Sequence, residues 1–141
     1  MVKDIQVRVI YMKAVVTGAS SGIGYSIARY LSKLGYDLIV VARRKDCLEN
    51  LKKECSTNVD IIDMDLSIIS NMYDLHDQLQ FEDVDLVVNN AGIGMYGDSW
   101  NMDMSREVSM LELNVIATDV LTKLFLKDMV KKNKGRILNV V

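Results

Sequence analysis

Short apolar runs alternate along the chain with longer stretches whose apolar residues recur every three or four positions. Residues 13–17 form the first run and meet glycine at once, as a buried parallel strand does on entering a tight turn. Ile23, Ile27, Leu31 and Leu34 follow at helical spacing and predict a helix buried on that face and stopped at Gly35. Residues 38–42 predict a second strand. A second helix follows, with Cys47, Leu48, Leu51 and Cys55 on its inner side. Residues 59–65 read as a third strand, and Ser67 is expected to cap a third helix whose face is Ile68, Met72, Leu75 and Leu79. Residues 84–89 and 135–141 complete the set of strands. Between them one long helix is expected from about Arg106 to Lys132. Its apolar residues, among them Leu111, Val115, Ile116, Leu121, Leu124, Phe125, Met129 and Val130, cover more than one face. Two readings fit: something beyond the chain's own sheet packs there, or the helix is sunk deep in its own domain.

The connections are too long for hairpins, which argues for an α/β fold with a doubly wound parallel sheet, helices on both faces and right-handed crossovers. A chain of 141 residues sustains one such domain. Met12-Lys13 looks like a natural start, so residues 12–141 are expected to form the domain and residues 1–11 an N-terminal extension. In that extension Ile5, Val7, Val9 and Tyr11 alternate with mostly polar neighbours, a pattern compatible with a strand or with disorder.

Composition narrows the class. A hydrophobic fraction of 50% with 26% charged residues is ordinary for a soluble globular protein. The net charge of -2 gives no electrostatic footprint for nucleic acid or an anionic membrane. No apolar run approaches the roughly 18 residues that cross a bilayer. Lys3, Asp4 and Arg8 break any secretory leader, so a cytoplasmic location is expected. Cys47 and Cys55 are too few and too widely spaced for zinc; they read as small core residues, and no metal site is expected. His76, between Asp74 and Asp77, reads as a solvated side chain.

The strongest chemical signal is Thr17-Gly18-Ala19-Ser20-Ser21-Gly22-Ile23-Gly24, placed between a strand and a helix. Gly18 permits the tight turn, Gly22 lets backbone approach a pyrophosphate, and Gly24 lets the helix pack closely on the sheet. Free N–H groups at the helix start, with the helix dipole, favour bound phosphate. The spacing is G-x-x-x-G-x-G, not the general G-x-G-x-x-G. Further along come Asp65-Leu66, Asn89-Asn90-Ala91-Gly92, Leu113-Asn114-Val115 and Gly135-Arg136-Ile137-Leu138-Asn139-Val140. Taken singly, the asparagines read as turn residues or as a helix residue bonding its own backbone, and Asp65 as a helix-entry acid. Taken together and in this order, they resemble the short-chain dehydrogenase/reductase family.

That resemblance implies a Rossmann-type sheet, here truncated after about five strands. It implies a nicotinamide dinucleotide held by Thr17, Gly18, Ser20, Ser21, Gly22, Ile23 and Gly24. Asp65 and Leu66 would meet its adenine ring, and Asn90, Ala91 and Gly92 would lie beside the coenzyme. Asn114 would be the asparagine of the family's catalytic tetrad. An NAD-preferring site holds an acid at the end of the second strand. Asp37 lies before that strand, at the wrong end of the sheet, and the position itself reads Ala42-Arg43-Arg44. Arg43 and Arg44 suit a 2′-phosphate, with a hydroxyl from Ser20 or Ser21, so NADP(H) is expected over NAD(H). The same pair argues against a methyltransferase, which also needs a ribose-binding acid there.

The family's proton donor is the tyrosine of a Tyr-x-x-x-Lys pair, aided by a serine. Four places beyond Tyr11, Tyr25, Tyr30, Tyr36, Tyr73 and Tyr96 stand Val15, Arg29, Leu34, Val40, Asp77 and Trp100, and none is lysine. The chain reaches Val141 where the family carries the first of two hydroxyl residues. The expected function is therefore the NADP(H)-binding portion of an oxidoreductase that exchanges hydride with a small carbonyl or alcohol, without turnover as this polypeptide. The alternative is an NADPH-binding sensor or pseudoenzyme. An open fifth strand and an uncovered long helix predict a homo-oligomer. Residues 92–100, with Met95, Tyr96 and Trp100, are expected to be a substrate entrance or a flexible loop.

Overall fold

Apolar runs become strands and amphipathic stretches become helices throughout the computed structural model, which describes residues 10–141. In chain order they are β1 (Met12–Thr17), α1 (Gly22–Lys33), β2 (Tyr36–Ala42), α2 (Lys45–Glu54), β3 (Val59–Asp63), α3 (Ile69–Gln78) and β4 (Leu86–Asn89). A short 3₁₀ turn (Ser99–Asn101) precedes α4 (Met104–Leu111), a π-helical turn (Glu112–Ile116), α5 (Ala117–Lys131) and β5 (Arg136–Asn139). The strands form one parallel sheet in the order β3-β2-β1-β4-β5. The segment over residues 5–11, whose pattern is compatible with a strand or with disorder, falls mostly on residues outside those described; Ile10 and Tyr11 are exposed and carry no regular structure.

Each central strand is buried on both sides, because its alternate residues enter two separate cores. Val15, Ile39 and Val87 face one way, under Met72 and Leu75 of α3 and Leu121, Phe125 and Met129 of α5. Val16, Val40 and Val88 face the other way, under Ala28 and Leu31 of α1 and Leu48 and Leu51 of α2. The chain leaves β1 toward β2 and leaves β4 toward β5, so adjacent strands part in opposite directions. A crevice opens at their carboxyl ends, where α/β sheets of this topology bind ligands.

Several expectations are corrected. The buried residues of α1 are Gly24, Ala28, Leu31 and Ser32, whereas Ile23 and Leu34 are 63% and 52% exposed. Small residues face the sheet because the helix lies close to it, and the larger ones are turned out. Ser67 does not cap α3: that position is Ile68, and the serine hydroxyl donates to Asp65 instead. Cys47 and Cys55 are half-buried free thiols, the burial in α2 being done by Leu48 and Leu51. His76 is not a solvated side chain. Its Nε2 lies 2.6 Å from Asp128 Oδ2, and its ring meets Phe125 edge-on, joining α3 to α5.

The long helix is one continuous rod interrupted by the π turn. Its surplus apolar residues are not sunk: Met104, Val108, Leu111, Val115, Leu126 and Val130 all stand exposed. β5 pairs only with β4, which leaves its other edge open among the described residues. No described helix is long and apolar enough to cross a membrane.

Candidate functional site

Thr17 ends β1 with its side chain almost wholly buried. Its hydroxyl oxygen accepts the N–H groups of Asn90 and Ala91, each at 3.0 Å, and donates to the Val88 carbonyl. Asn90 answers by donating its Nδ2 to the carbonyls of Thr17 and Gly18 at 3.3 and 3.2 Å. These bonds lock the turn after β1 to the turn after β4. The lock explains two glycines. A Cβ on Gly18 would sit 2.8 Å from Ala91 Cα, and one on Gly24 would fall on Asn90 Nδ2 and the Gly18 carbonyl.

Gly22 differs from both. Its φ is +60°, which favours glycine, and a Cβ there would meet nothing within 4 Å. That space lies at the first turn of α1. Ser21 holds the N-cap position in extended backbone but makes no capping bond with its side chain, and no acid stands in the first turn. The opening amides of α1 therefore lack a side-chain partner, and the positive end of the helix is not neutralised.

The Ser21 hydroxyl is turned instead to Arg44. Arg44 Nη2 donates to Ser21 Oγ at 2.8 Å and to Ser20 Oγ at 3.1 Å. A guanidinium and two hydroxyls thus converge beside the glycine loop, where β2 gives way to α2. Arg43 stands exposed at the same rim. Asp37 sits at the other end of β2, accepting the Asn58 N–H, in register with Lys13 at the start of β1.

A cleft of about 380 Å³ runs along these carboxyl ends. Gly18, Ser20, Ser21, Ile23, Arg43, Arg44, Asp65, Leu66, Asn90, Ala91 and Gly92 border it, all residues singled out in the sequence. Thr17, Gly22, Gly24 and Asn114 do not; the first and third shape the loop from beneath. Val41, Ala42, Met64, Ile93 and Leu113 also border the cleft and were not foreseen, although each adjoins a residue that was, or one in the same motif.

Asn114 lies in the π turn, one residue beyond the cleft-lining Leu113. Its Oδ1 accepts the Ile93 N–H at 2.9 Å, and its Nδ2 donates to the Ile93 carbonyl at 2.8 Å. Gly92 makes room for this, since a Cβ there would come within 3.2 Å of Asn114 Oδ1. Beyond the cleft wall, Tyr96 and Trp100 are fully or nearly fully exposed, so the segment after Ile93 is not anchored by its aromatics.

Groups with displaced protonation lie elsewhere. A hydrogen bond to Glu82 raises Lys13, one to Lys132 lowers Asp83, and one to Asp85 raises Lys134, all at the amino end of the sheet. Bonds to Glu54 and Ser105 raise Tyr25 and lower Asp103, and burial raises Cys55. None of these residues borders the cleft. The cleft offers fixed hydrogen-bond donors and a cation, which suit a phosphorylated ligand.

Comparison with known proteins agrees. The family described as short chain dehydrogenase matches residues 12–141. The human dehydrogenase/reductase SDR family member 7 is 37% identical, the match covering 89% of this chain and 40% of that protein. The NADP-dependent 3-hydroxy acid dehydrogenase of Schizosaccharomyces pombe is 33% identical, over 89% of this chain and 51% of that one. Among solved structures, a metagenomic short-chain oxidoreductase in complex with NADP superposes with a TM-score of 0.85 at 30% identity, covering 91% of this chain and 61% of that one. The chain thus spans about half the length of these relatives. With its five parallel strands in Rossmann order and the glycine loop over the switch point, the chain belongs to the short-chain dehydrogenase family.

Proposed function

We propose that this chain binds NADP(H) in preference to NAD(H), as the coenzyme-holding part of an oxidoreductase acting on a small carbonyl or alcohol. The observation that carries the preference is the convergence of Arg44 with Ser20 and Ser21. The sequence offers an arginine pair where an NAD-binding member of such a fold places an acid. A 2′-phosphate entering there replaces the serine oxygens as the guanidinium's acceptor and takes the freed hydroxyls as further donors. Arg43 adds a second positive charge.

The residues present fit such a coenzyme. In this reading a diphosphate sits against the opening amides of α1, beside Gly22, where a Cβ would meet no atom within 4 Å. In the same reading Asp65 and Leu66 receive the adenine end and Asn90, Ala91 and Gly92 the middle of the molecule; all five border the cleft. When bound, the nicotinamide supplies or accepts the hydride. Asn114 acts on the chain's own backbone, holding Ile93 and thereby the wall of the cleft. The sequence carries no Tyr-x-x-x-Lys, so residues 1–141 are expected to bind the coenzyme without reducing a carbonyl. A coenzyme-sensing role accounts equally for binding without turnover. We place the chain in the cytoplasm, where free thiols such as Cys47 and Cys55 stay reduced.

Calorimetric titration of the folded chain with NADPH and NADH tests this. NADPH should bind at least about tenfold more tightly, the value of one charge-assisted contact. Equal affinities overturn the preference.

A further inference from the structure

Four apolar residues of α1 form a straight seam that the described fold does not use. Ile23, Ile27, Tyr30 and Leu34 stand four, three and four residues apart, the spacing that keeps side chains on one stripe of a helix. Ile23, Tyr30 and Leu34 are exposed, and Ile27 is half-buried. The seam is not the face turned to the sheet, which Gly24, Ala28 and Leu31 make. Nor does it face α2, because Tyr25 and Arg29, both bonded to Glu54, mark that flank. At 3.6 residues per turn the seam lies on the opposite flank, toward β4 and β5.

The sheet is bare on that side too. On this face α1 and α2 pack over β1, β2 and β3. Leu138 is in register with Val88 and shares its face, yet it is exposed. A trough therefore runs beside α1, with the seam as its wall and Leu138 on its floor. Apolar surface of this extent on a small domain marks a place where something packs.

The chain itself arrives at one end of this trough. Ile10 is exposed just before β1, which lies between β2 and β4. The seam ends close by, at Leu34, two residues before β2 begins. Upstream of Ile10, Ile5, Val7 and Val9 alternate with Asp4, Gln6 and Arg8, which gives an extended segment one apolar and one polar side. Alternate residues of such a segment recur about every 6.6 Å. The seam rises roughly 16 Å from Leu34 to Ile23, so three of them match its length.

We propose that residues 1–9 fill the trough as an extended strap, with Ile5, Val7 and Val9 against the α1 seam and Asp4, Gln6 and Arg8 toward solvent. The strap runs from the amino end of the sheet toward Ile23, which borders the cleft. It supplies the layer that β4 and β5 lack on this face. The contact is internal to the chain and stands apart from the coenzyme reading.

Nuclear Overhauser contacts in the methyl-labelled full chain test this. Methyl groups of Ile5, Val7 and Val9 should show cross-peaks to Ile27, to Leu34 and to the Tyr30 ring. Val7→Asp should erase them and shift the Ile27 and Leu34 methyl resonances, while Val108 and Leu126 on the opposite face stay in place. Ile27 and Leu34 resonances unmoved by Val7→Asp overturn the strap. Gln6→Asp, on the polar side, should keep every cross-peak, and their loss in that variant overturns the assigned face. A sample mixing labelled with unlabelled chains identifies the source of the contacts. Cross-peaks that arise only between chains make a second copy the occupant and overturn the proposal, as does a native chain with no cross-peak to the seam. If Val7→Asp does not fold, the cross-peaks of the native chain and of Gln6→Asp decide.

Discussion

Asn114 and Ile93 are joined by a pair of hydrogen bonds running in opposite directions, one accepted and one donated by the same side-chain amide. The amide completes the backbone of Ile93 as a neighbouring strand would, at a point where β4 has already ended. The π turn places it there. One residue of the turn lines the cleft and the next braces the loop behind it. Asn114→Ala removes both bonds and should cost about 1–3 kcal/mol of stability in urea unfolding. Hydrogen exchange at the Ile93 amide should accelerate at the same time. An exchange rate unchanged by the substitution contradicts the brace.

Gly22 and Gly24, two of the loop's three glycines, should fail for different reasons. A methyl group at Gly24 has no room beside Asn90 and the Gly18 carbonyl, so Gly24→Ala should destabilise the fold by about 2–3 kcal/mol. At Gly22 there is room, and the cost is backbone strain at φ +60°, about 1–2 kcal/mol. Gly22→Asn should therefore be milder than Gly22→Ala, because asparagine tolerates that region. Gly24→Asn should not be milder than Gly24→Ala. Thermal unfolding of the four variants checks the order.

Arg44 and Arg43 should not contribute equally. Arg44→Ala takes away the guanidinium held between two serines and should lower NADPH affinity about tenfold or more while sparing NADH. Arg43→Asp places an acid at the rim and should shift preference toward NADH. Relative affinities unmoved by either change contradict the assignment of the 2′-phosphate to this corner.

The exposed apolar row on α4 and α5 runs from Met104 and Leu111 to Leu126 and Val130. A second copy packed on this row would bury Leu111 and Val130. Sedimentation should show a homo-oligomer that Leu111→Glu or Val130→Glu dissociates. A native chain that stays monomeric at high concentration contradicts the pairing.

The sheet was legible because parallel strands buried on both faces read as continuous apolar runs, as in Ala14, Val15 and Val16 or Leu38 to Ala42. The glycine loop was legible because each glycine answers a steric or conformational demand. Helix faces were harder. In α1 the inward residues Gly24 and Ala28 carry little hydrophobic weight, so Ile23 and Leu34 were read onto the inner face in their place, while Ile27 and Leu31 do pack on the core. His76 was misread because its partner, Asp128, lies 52 residues away, while the acids adjacent in sequence do not engage it. Ser67 was expected to serve the helix it precedes, yet it bonds the residue two places behind it. The π turn left no sign in the spacing of apolar residues, although Asn114 within it was found through its motif.

The claim on which the account turns is that the first turn of α1 holds the diphosphate, and Arg44 the 2′-phosphate, of one bound dinucleotide. Amide-resolved magnetic resonance of the labelled chain during titration with NADPH reads this directly. Resonances of Gly18 to Gly24 and of Arg44 should move in a saturable way, while those of the amino end of the sheet, such as Lys13 and Asp85, stay in place. Saturating NADPH that leaves the residue 18–24 amides unmoved contradicts the account.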